Sequence, residues 1–294
     1  MQSKSGLWYG ITAYVLWGLF PIYFGLLQHL NALEVIPWRV ITCLGFCVIL
    51  LLILRQWSEL IQILRKPKQL LWFLVSGVLL YINWQLYVYG VLNGLVLETS
   101  LGYFINPIVT VLLGVVIWRE KLSRIRWIAL AVVTVGVLVG VIVYGEFPAV
   151  ALGLAFSFGS YGAIRKAMKT NTTVVTGLTL ETVAVLPLAL LQLLLLAQQE
   201  PLHGFSTGTV TALVVIGTGV VTAVPLLCFS AATARLPLSY LGFIQFIGPM
   251  LIFFYGWLVL DEPMGVARWI SFGAVWLAAA LLLFETLQRH RLNR

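Results

Sequence analysis

Two charged residues, Arg39 and Glu181, interrupt long apolar stretches of the sequence, one in each half of the chain. A charged side chain near the middle of a membrane-spanning helix costs about 2.5–3.5 kcal/mol on insertion scales, so it calls for a partner or a role. A carboxyl in such a place can carry a proton across the membrane unless a basic partner keeps it ionised. The two residues are therefore candidates for gating, for proton coupling or for holding helices together.

Each of these residues has a candidate partner of opposite sign near the same membrane face. Glu98 begins the fourth apolar run and Arg235 ends the eighth. We predict two gates, one in which Arg39 pairs with Glu98 outside and one in which Glu181 pairs with Arg235 inside, because a transporter opens one closure while it makes the other. The alternatives are that the charges anchor packing or snorkel without switching, or that they contact a solute directly.

Polar and aromatic side chains that face the interior of a helix bundle would line a substrate cavity. Tyr81, Gln85 and Tyr89 recur at every fourth position and so share one helix face. The other predicted cavity residues are Trp17, Asn83, Trp84, Tyr103, Asn106, Tyr161 and Gln245. Such a set suits an aromatic, uncharged or amphipathic solute held by stacking and a few hydrogen bonds. The alternative is an interfacial aromatic belt combined with polar contacts between helices.

The helices that position these residues belong to a sequence pattern that occurs twice in the chain. Without a gap, the stretch 104–128 matches the stretch 246–270 at 8 of 25 positions, where roughly two matches are expected by chance. We therefore predict two repeats, residues 1–145 and residues 146–294.

The interval between the two matching stretches, which we call the repeat offset, relates other residues as well. Pro107 and Pro249 are separated by it and are predicted to kink equivalent helices. Arg39 and Glu181 are separated by the same interval. The two buried charges therefore occupy equivalent positions in the two predicted repeats.

The composition identifies lipid as the solvent of most of the chain. Hydrophobic residues make up 61% of it and charged residues 10%, with a mean hydropathy of +1.01. The net charge of +8 lies in short clusters between apolar runs, which argues against nucleic-acid binding. Cys43, Cys47 and Cys228 are interpreted as packing residues, and the histidines lie apart. Neither a metal, a cofactor nor a catalytic cluster is predicted, so we expect a protein that is not an enzyme.

Ten apolar runs are long enough to cross a bilayer, which needs about 20 residues each. The predicted fold is all-α and integral to the membrane, with spans near 8–30, 35–54, 70–92, 97–118, 125–143, 147–164, 174–197, 209–230, 237–259 and 267–286. With the N-terminus inside, 16 of the 18 Lys and Arg residues fall in cytoplasmic segments, which predicts that both termini are cytoplasmic. Five spans per repeat is an odd number, so the second repeat is predicted to have inverted topology.

Several motifs resemble a known family. Gly10, Ala13, Tyr14, Trp17, Gly18 and Pro21 resemble the opening helix of the EamA domains of the drug/metabolite transporter superfamily. The run Leu101–Pro107 followed by Glu120 resembles the fourth helix of that family and its exit. Together with Asn83, Trp84, Asn93, Glu98 and Ser100, that run is similar to the RarD branch of bacterial inner-membrane proteins, often labelled chloramphenicol permeases. The resemblance implies a ten-helix transporter of small organic solutes, with Glu120 and Glu262 as family landmarks.

These patterns together predict a transporter in the bacterial inner membrane that works by alternating access between inverted five-helix repeats. An uncoupled facilitator or a channel is the alternative, since a polar pore would use the same residues, and a membrane enzyme is a remote one. The predicted partners are a small-molecule substrate, the lipid bilayer and protons as a coupling ion, with no nucleic acid. The chain is expected to be a monomer or a homodimer.

Overall fold

The computed structural model describes residues 4–119, 122–144, 147–168, 172–233, 235 and 244–292. In this part of the chain the secondary structure is helical, without strands. The helices are α1 (Lys4–Gly18), α2 (Phe20–Gly25), α3 (Ala32–Ile53), α4 (Trp57–Leu64), α5 (Pro67–Leu92), α6 (Val96–Trp118), α7 (Arg124–Tyr144), α8 (Ala149–Met168), α9 (Val174–Ala197), α10 (Thr209–Thr233), α11 (Ile247–Phe254, continued by the π-helical turn Tyr255–Val259) and α12 (Val266–Leu292).

Seven helical stretches of the described residues are long and apolar enough to cross a membrane. They are Ser5–Gly25, Ala32–Ile53, Pro67–Leu92, Val96–Ile117, Val174–Ala197, Thr209–Phe229 and Val266–Glu285. The all-α membrane class is thereby confirmed, and the chain is a multi-pass membrane protein. Three further predicted spans correspond to α7, which begins with two arginines, and to the shorter apolar helices Ala149–Arg165 and Ile247–Val259. The start of the predicted span 237–259 lies outside the described residues, as does Glu120.

The short helix α4 has no counterpart among the predicted spans. At 8 residues it is far too short to cross the hydrocarbon core, and it buries only Leu60 and Ile63. Its Glu59 carboxylate accepts hydrogen bonds from the backbone N–H and the hydroxyl of Thr173 at 2.8 and 2.7 Å. Burial raises the pKa of Glu59, but these bonds and one from Thr176 outweigh it, so the pKa lies below its usual value. α4 therefore fastens the loop before α5 to the start of α9.

The bundle is organised around contacts between helices that are distant in the sequence. α3 packs on α9 and on α10, and α5 packs on α9 and on α8. α1 lies against α10 and α11, α6 lies against α8 and α11, and α7 pairs with α12. The largest hydrophobic cluster lies where α3, α5 and α9 meet, and it includes Phe24, Trp84 and Tyr87.

Two glycines allow close crossings of α5 with α9 and of α10 with α3. A Cβ atom on Gly77 of α5 would lie 2.7 Å from the backbone oxygen of Glu181 in α9, and one on Gly219 of α10 would overlap the backbone oxygen of Thr42 in α3. Such contacts leave no room for a side chain, and close approach of this kind is how helices gain packing energy in lipid. Gly77 and Gly219 are separated by the repeat offset, so the two crossings occur at equivalent positions.

The N-terminus of α6 is held by a carboxylate from the loop after α11. Glu262 accepts hydrogen bonds from the backbone N–H groups of Val96 at 2.6 Å and Leu97 at 3.0 Å. The first N–H groups of a helix have no partner within it, and the helix dipole favours a negative group there. Burial raises the pKa of Glu262 in spite of these bonds. The side chain therefore ties the start of α6 to the end of α11.

Replacing Glu262 by alanine is expected to lower stability by about 1–3 kcal/mol, because two buried N–H groups lose their acceptors. The measurement is the midpoint of thermal unfolding in detergent. The control is Asp261→Asn, which removes a neighbouring exposed carboxylate and keeps a residue type that tolerates the positive φ of 51° found there. Equal midpoints for the two variants would contradict the capping role of Glu262.

Candidate functional site

Arg39 lies two turns into α3 and is almost fully enclosed, with 2% of its surface exposed. Its Nε donates a hydrogen bond to the hydroxyl of Thr222 in α10 at 2.8 Å. The guanidinium carbon lies 4.4 Å from the ring centroid of Trp84, and it lies over the rings of Phe24 and Phe20 at 5.1 and 5.7 Å. These cation–π contacts supply part of the solvation that burial removes. Nη1 is buried and has no hydrogen-bond partner.

Aromatic rings extend from Arg39 towards α6 and α8. Tyr87 contacts Phe20 and Phe24 with centroid distances of 6.1 Å, and it contacts Tyr103 at 5.9 Å. Tyr103 in turn meets Phe158 at 6.3 Å. The hydroxyl of Tyr87 is buried without a hydrogen-bond partner. The region from α2 to α8 is therefore lined by aromatic rings, with the guanidinium at one end and an unpaired phenol beside it.

Glu181 lies two turns into α9 and is also 2% exposed. Its Oε1 accepts a hydrogen bond from the hydroxyl of Ser76 in α5 at 2.8 Å, and it lies 3.4 Å from Nη1 of Arg165 in α8. Its Oε2 accepts from the hydroxyl of Tyr161 in α8 at 3.3 Å. A buried carboxylate is tolerated when hydrogen bonds and an opposite charge satisfy it. Glu181 thus joins three helices through polar contacts in an apolar bundle.

The two predicted gate pairs do not form in this conformation. Glu181 pairs with Arg165, whereas the exposed Arg235 lies over the ring of Tyr9 at 5.3 Å and donates to the backbone oxygen of Ala231. Arg235 lies just after the end of α10, which packs mainly on α1 and α3, and it therefore faces Tyr9 of α1.

On the other side of the molecule, Arg39 bonds Thr222 and the aromatic rings. Glu98 lies at the start of α6, where it accepts a hydrogen bond from the backbone N–H of Val150 at 3.3 Å. The predicted pairing of Arg39 with Glu98 is therefore replaced by two separate sets of contacts, because α6 begins beside α8 rather than beside α3.

Among the predicted cavity residues, those of α5 have different environments. Asn83 is buried and donates to Ser157 at 3.0 Å and to the backbone oxygen of Leu154 at 3.2 Å, so it binds α5 to α8. Trp84 is the principal ring under Arg39. Tyr89 is 47% exposed on the outer surface of the bundle and does not share the environment of Tyr81 and Gln85, which were predicted to lie on the same helix face.

Tyr81 and Gln85 are brought together by a residue that the sequence did not single out. Both donate hydrogen bonds to Oε1 of Gln192 in α9, at 2.7 and 2.6 Å, and Nε2 of Gln192 donates to the backbone oxygen of Leu33. Tyr81 and Gln192 line a groove of about 380 Å³ between α5 and α9, with leucines and Gln199 on its remaining walls. A lone glutamine within a run of leucines was the signal that could have identified Gln192.

The remaining predicted residues are distributed along α1, α6, α8 and α11. Trp17 packs on Tyr14 and Phe229 with ring centroids 5.1 and 5.7 Å apart, and Gln245 is half-buried just before α11. Asn106 has a buried Oδ1 without a partner. Tyr161 belongs to the Glu181 cluster. Pro107 lies inside α6, and the backbone oxygen of its equivalent Pro249 accepts a hydrogen bond from Ser100.

Three partners of the buried charges were also missed from the sequence: Ser76, Arg165 and Thr222. Ser76 and Thr218 are separated by the repeat offset, and both are buried hydroxyl residues. The recurrence of a hydroxyl at equivalent positions of two apolar helices could have identified Ser76 from the sequence. Arg165 was counted as a loop residue but lies in α8, where its side chain reaches inwards. Among the described residues, no group of three His, Cys, Asp or Glu side chains is arranged to hold a metal ion.

Comparisons with known proteins agree with the membrane fold. A family model described as the EamA-like transporter family matches residues 4–142. Protein RarD of Escherichia coli (strain K12) is 39% identical over 290 residues, which cover 99% of this chain and 97% of that protein. A Bacillus subtilis (strain 168) protein named "Uncharacterized transporter YojE" is 40% identical over 286 residues, covering 96% of this chain and 94% of that protein.

Two more distant comparisons extend this picture. A Pseudomonas aeruginosa protein named "Chloramphenicol-sensitive protein RarD" is 28% identical over 283 residues, covering 95% of this chain and 93% of that protein. A solved crystal structure superimposes with a TM-score of 0.59 at 18% identity, covering 97% of this chain and 99% of that one. At this identity the structural likeness concerns the fold alone.

Proposed function

The chain belongs to the EamA-like transporter family, in its RarD-like branch, and on this premise we propose that it is a secondary transporter of small organic solutes. It works by alternating access between two five-helix repeats of inverted topology, residues 1–145 and 146–294. It moves its solute across the membrane and does not transform it chemically.

The pattern of helix contacts supports the repeat. The repeat offset relates α1 to α8, α3 to α9, α5 to α10, α6 to α11 and α7 to α12. Under this exchange the contact of α5 with α9 becomes that of α10 with α3, and the contact of α6 with α8 becomes that of α11 with α1. Both members of each pair are present. A two-fold relation between inverted halves accounts for this, and in transporters the substrate site lies at the interface between them.

Individual residues support the same relation. Gly77 and Gly219 both make close helix crossings against the backbone of the opposite repeat. Arg119 and Asp261, also separated by the repeat offset, both have left-handed backbone conformations, with φ of 53° and 51°. Phe104 stacks on its equivalent Phe246 with centroids 6.1 Å apart and an interplanar angle of 21°. Equivalent residues that touch each other belong on the axis relating two halves.

The observation that carries the proposal is that Arg39 and Glu181, both buried, each form a hydrogen bond with a residue of the opposite repeat. Arg39 of the first repeat bonds Thr222 of the second, and Glu181 of the second bonds Ser76 of the first. Each contact joins the half that carries the charge to a helix that must shift against it when access alternates. Glu181 with Ser76, supported by Arg165 of its own repeat, closes the cytoplasmic side. Arg39 with Thr222 closes the external side. Both sets are made in this conformation, and opening one face breaks one set while the other stays made, which couples the two faces.

The chemistry of the interior defines the class of solute. Rings and a few hydrogen-bonding groups, such as Trp84, Tyr103 and Gln192, suit an aromatic or amphipathic molecule. The name of the Pseudomonas relative makes chloramphenicol one probe to include. The protein resides in the bacterial inner membrane with cytoplasmic termini, because Lys and Arg concentrate in the segments assigned to that side. Glu181 carries the coupling proton, which it takes up only when its contact with Arg165 is broken. The functional unit is a monomer or a homodimer.

The test is uptake by proteoliposomes that contain the purified protein. A panel of radiolabelled aromatic and amphipathic solutes, chloramphenicol among them, is presented with and without an imposed pH gradient. We expect at least one solute to accumulate above its external concentration when the gradient is present. Uptake that only equilibrates would favour the facilitator or channel instead, and no uptake above that of empty liposomes for any solute would contradict transport.

A further inference from the structure

We propose that Arg39, with the hydroxyl groups of Tyr87 and Tyr103, forms an anion site that takes the carboxylate of an aromatic solute. This inference rests on the proposed transport function and names the substrate class of the same interior: aromatic organic anions. It assigns Arg39 to substrate binding rather than to the predicted pairing with Glu98.

The first argument is the charge balance at equivalent positions. Glu181 forms an ion pair with Arg165 at 3.4 Å, but Arg39 has no ion pair within the described residues. The nearest carboxylate in its own helix, Glu34, is occupied, since it accepts from Trp38 and from the backbone N–H groups of His203 and Gly204. A buried cation without a counter-charge is costly, and an anionic ligand is a natural way to compensate it.

The second argument is that donors around Arg39 have no acceptor. Nη1 of Arg39 and the hydroxyl of Tyr87 are both buried and lack hydrogen-bond partners. The phenol groups of Tyr87 and Tyr103 are close enough to interact electrostatically with the guanidinium. A guanidinium and neighbouring O–H groups are donors that a carboxylate accepts from, and charge-assisted bonds of this kind are the strong ones. Native structures rarely leave such groups unpaired without a reason.

The third argument concerns the rest of the ligand. Phe20, Phe24 and Trp84 lie around the guanidinium, and Tyr87 packs on Phe20 and Phe24 beside it. Ring edges and faces pack well on another aromatic group, so the body attached to the carboxylate is aromatic rather than a polar chain. The alternative is that the three cation–π contacts and the hydrogen bond to Thr222 satisfy Arg39 and that no ligand enters. That alternative predicts no preference for an anion.

The experiment uses the purified full-length protein and two probes of the same shape, 3-phenylpropionate and 3-phenylpropionamide, with binding measured by isothermal titration calorimetry. We expect the wild-type protein to bind the carboxylate at least about tenfold more tightly than the amide. Arg39→Gln should abolish this preference, Arg39→Lys should retain part of it, and Tyr87→Phe should reduce it by several fold. The control is Arg65→Gln, an exposed arginine at the end of α4, which should leave the preference unchanged.

The outcomes separate the site from the transport function. Equal binding of the two probes, binding of neither, or a preference that survives Arg39→Gln would overturn the anion site. If Arg39→Gln does not fold, the lysine and Tyr87→Phe variants decide, because an unchanged preference in both would also overturn it. A carboxylate preference that depends on Arg39, in a protein that moves no solute in liposomes, would sustain the site and contradict transport.

Discussion

Replacing Glu181 by glutamine is expected to reduce solute accumulation driven by a pH gradient by more than about tenfold, which corresponds to about 1.4 kcal/mol. Glutamine keeps the shape, and its single carbonyl oxygen can still accept from Ser76 while its amide N–H can donate to the hydroxyl oxygen of Tyr161, but it cannot take up or release a proton. Exchange of labelled for unlabelled solute across the membrane needs no net proton movement and should remain within a few fold of wild type. Uptake and exchange are measured in the same proteoliposomes.

The control for this variant is Glu200→Gln. Glu200 is an exposed carboxylate that accepts a hydrogen bond from Asn31 outside the bundle, so its neutralisation should leave both assays unchanged. If Glu181→Gln still accumulates solute as the wild type does, Glu181 is not the proton carrier. If it loses exchange as severely as accumulation, its role is structural, through Arg165 and Ser76.

A valine at Gly219 or at Gly77 is expected to destabilise the bundle severely and to abolish transport. At Gly219 even a Cβ atom would overlap the backbone oxygen of Thr42, and at Gly77 it would lie 2.7 Å from that of Glu181. Backbone cannot yield as a flexible side chain does, so the helices must separate at a cost of about 1–3 kcal/mol or more. Thermal unfolding midpoints and uptake are the measurements.

The chain offers a matched control in Gly45, another helical glycine around which an added Cβ would meet nothing within 4 Å. Gly45→Val should unfold at the wild-type midpoint and transport normally. Because Gly77 and Gly219 are equivalent in the proposed repeat, their valine variants should be affected to a similar degree. A Gly219 variant as stable as the Gly45 variant would contradict the close crossing of α10 and α3.

The all-α membrane class was predictable from the sequence, because lipid imposes strong rules on composition and on the cost of charge. Arg39 and Glu181, which interrupt apolar runs, are both buried. Glu34 and Glu285 are buried as well, but they lie near the ends of apolar runs, where the pattern does not distinguish them. The helix neighbours were not predictable in the same way. Core and surface are both apolar in a membrane protein, so the residues that face lipid and those that face protein look alike in the sequence.

The partner of Glu181 illustrates this limit. Arg165 and Arg235 both end apolar runs on the side assigned to the cytoplasm, and the sequence indicates their depth but not which helix each one faces. The structure places α8 beside α5, within reach of α9, and α10 beside α1. The same limit applies to Asn83, whose polar side chain was predictable but whose hydrogen bonds to α8 were not. Polarity was predictable for these side chains, and orientation was not.

Alternating access between inverted repeats is tested most directly by thiol labelling at two equivalent positions. The native Cys43, one turn from Arg39 in α3, and a cysteine introduced at Val185 in α9 are related by the repeat offset, and both positions are buried. Each is made the only cysteine and is reacted with a membrane-impermeant reagent from either side, with and without a transported solute. We predict that Cys43 reacts from outside and the cysteine at 185 from inside, and that the solute raises one rate as it lowers the other. Rates at the two positions that rise or fall together when solute is added, or that do not respond to solute, would contradict alternating access.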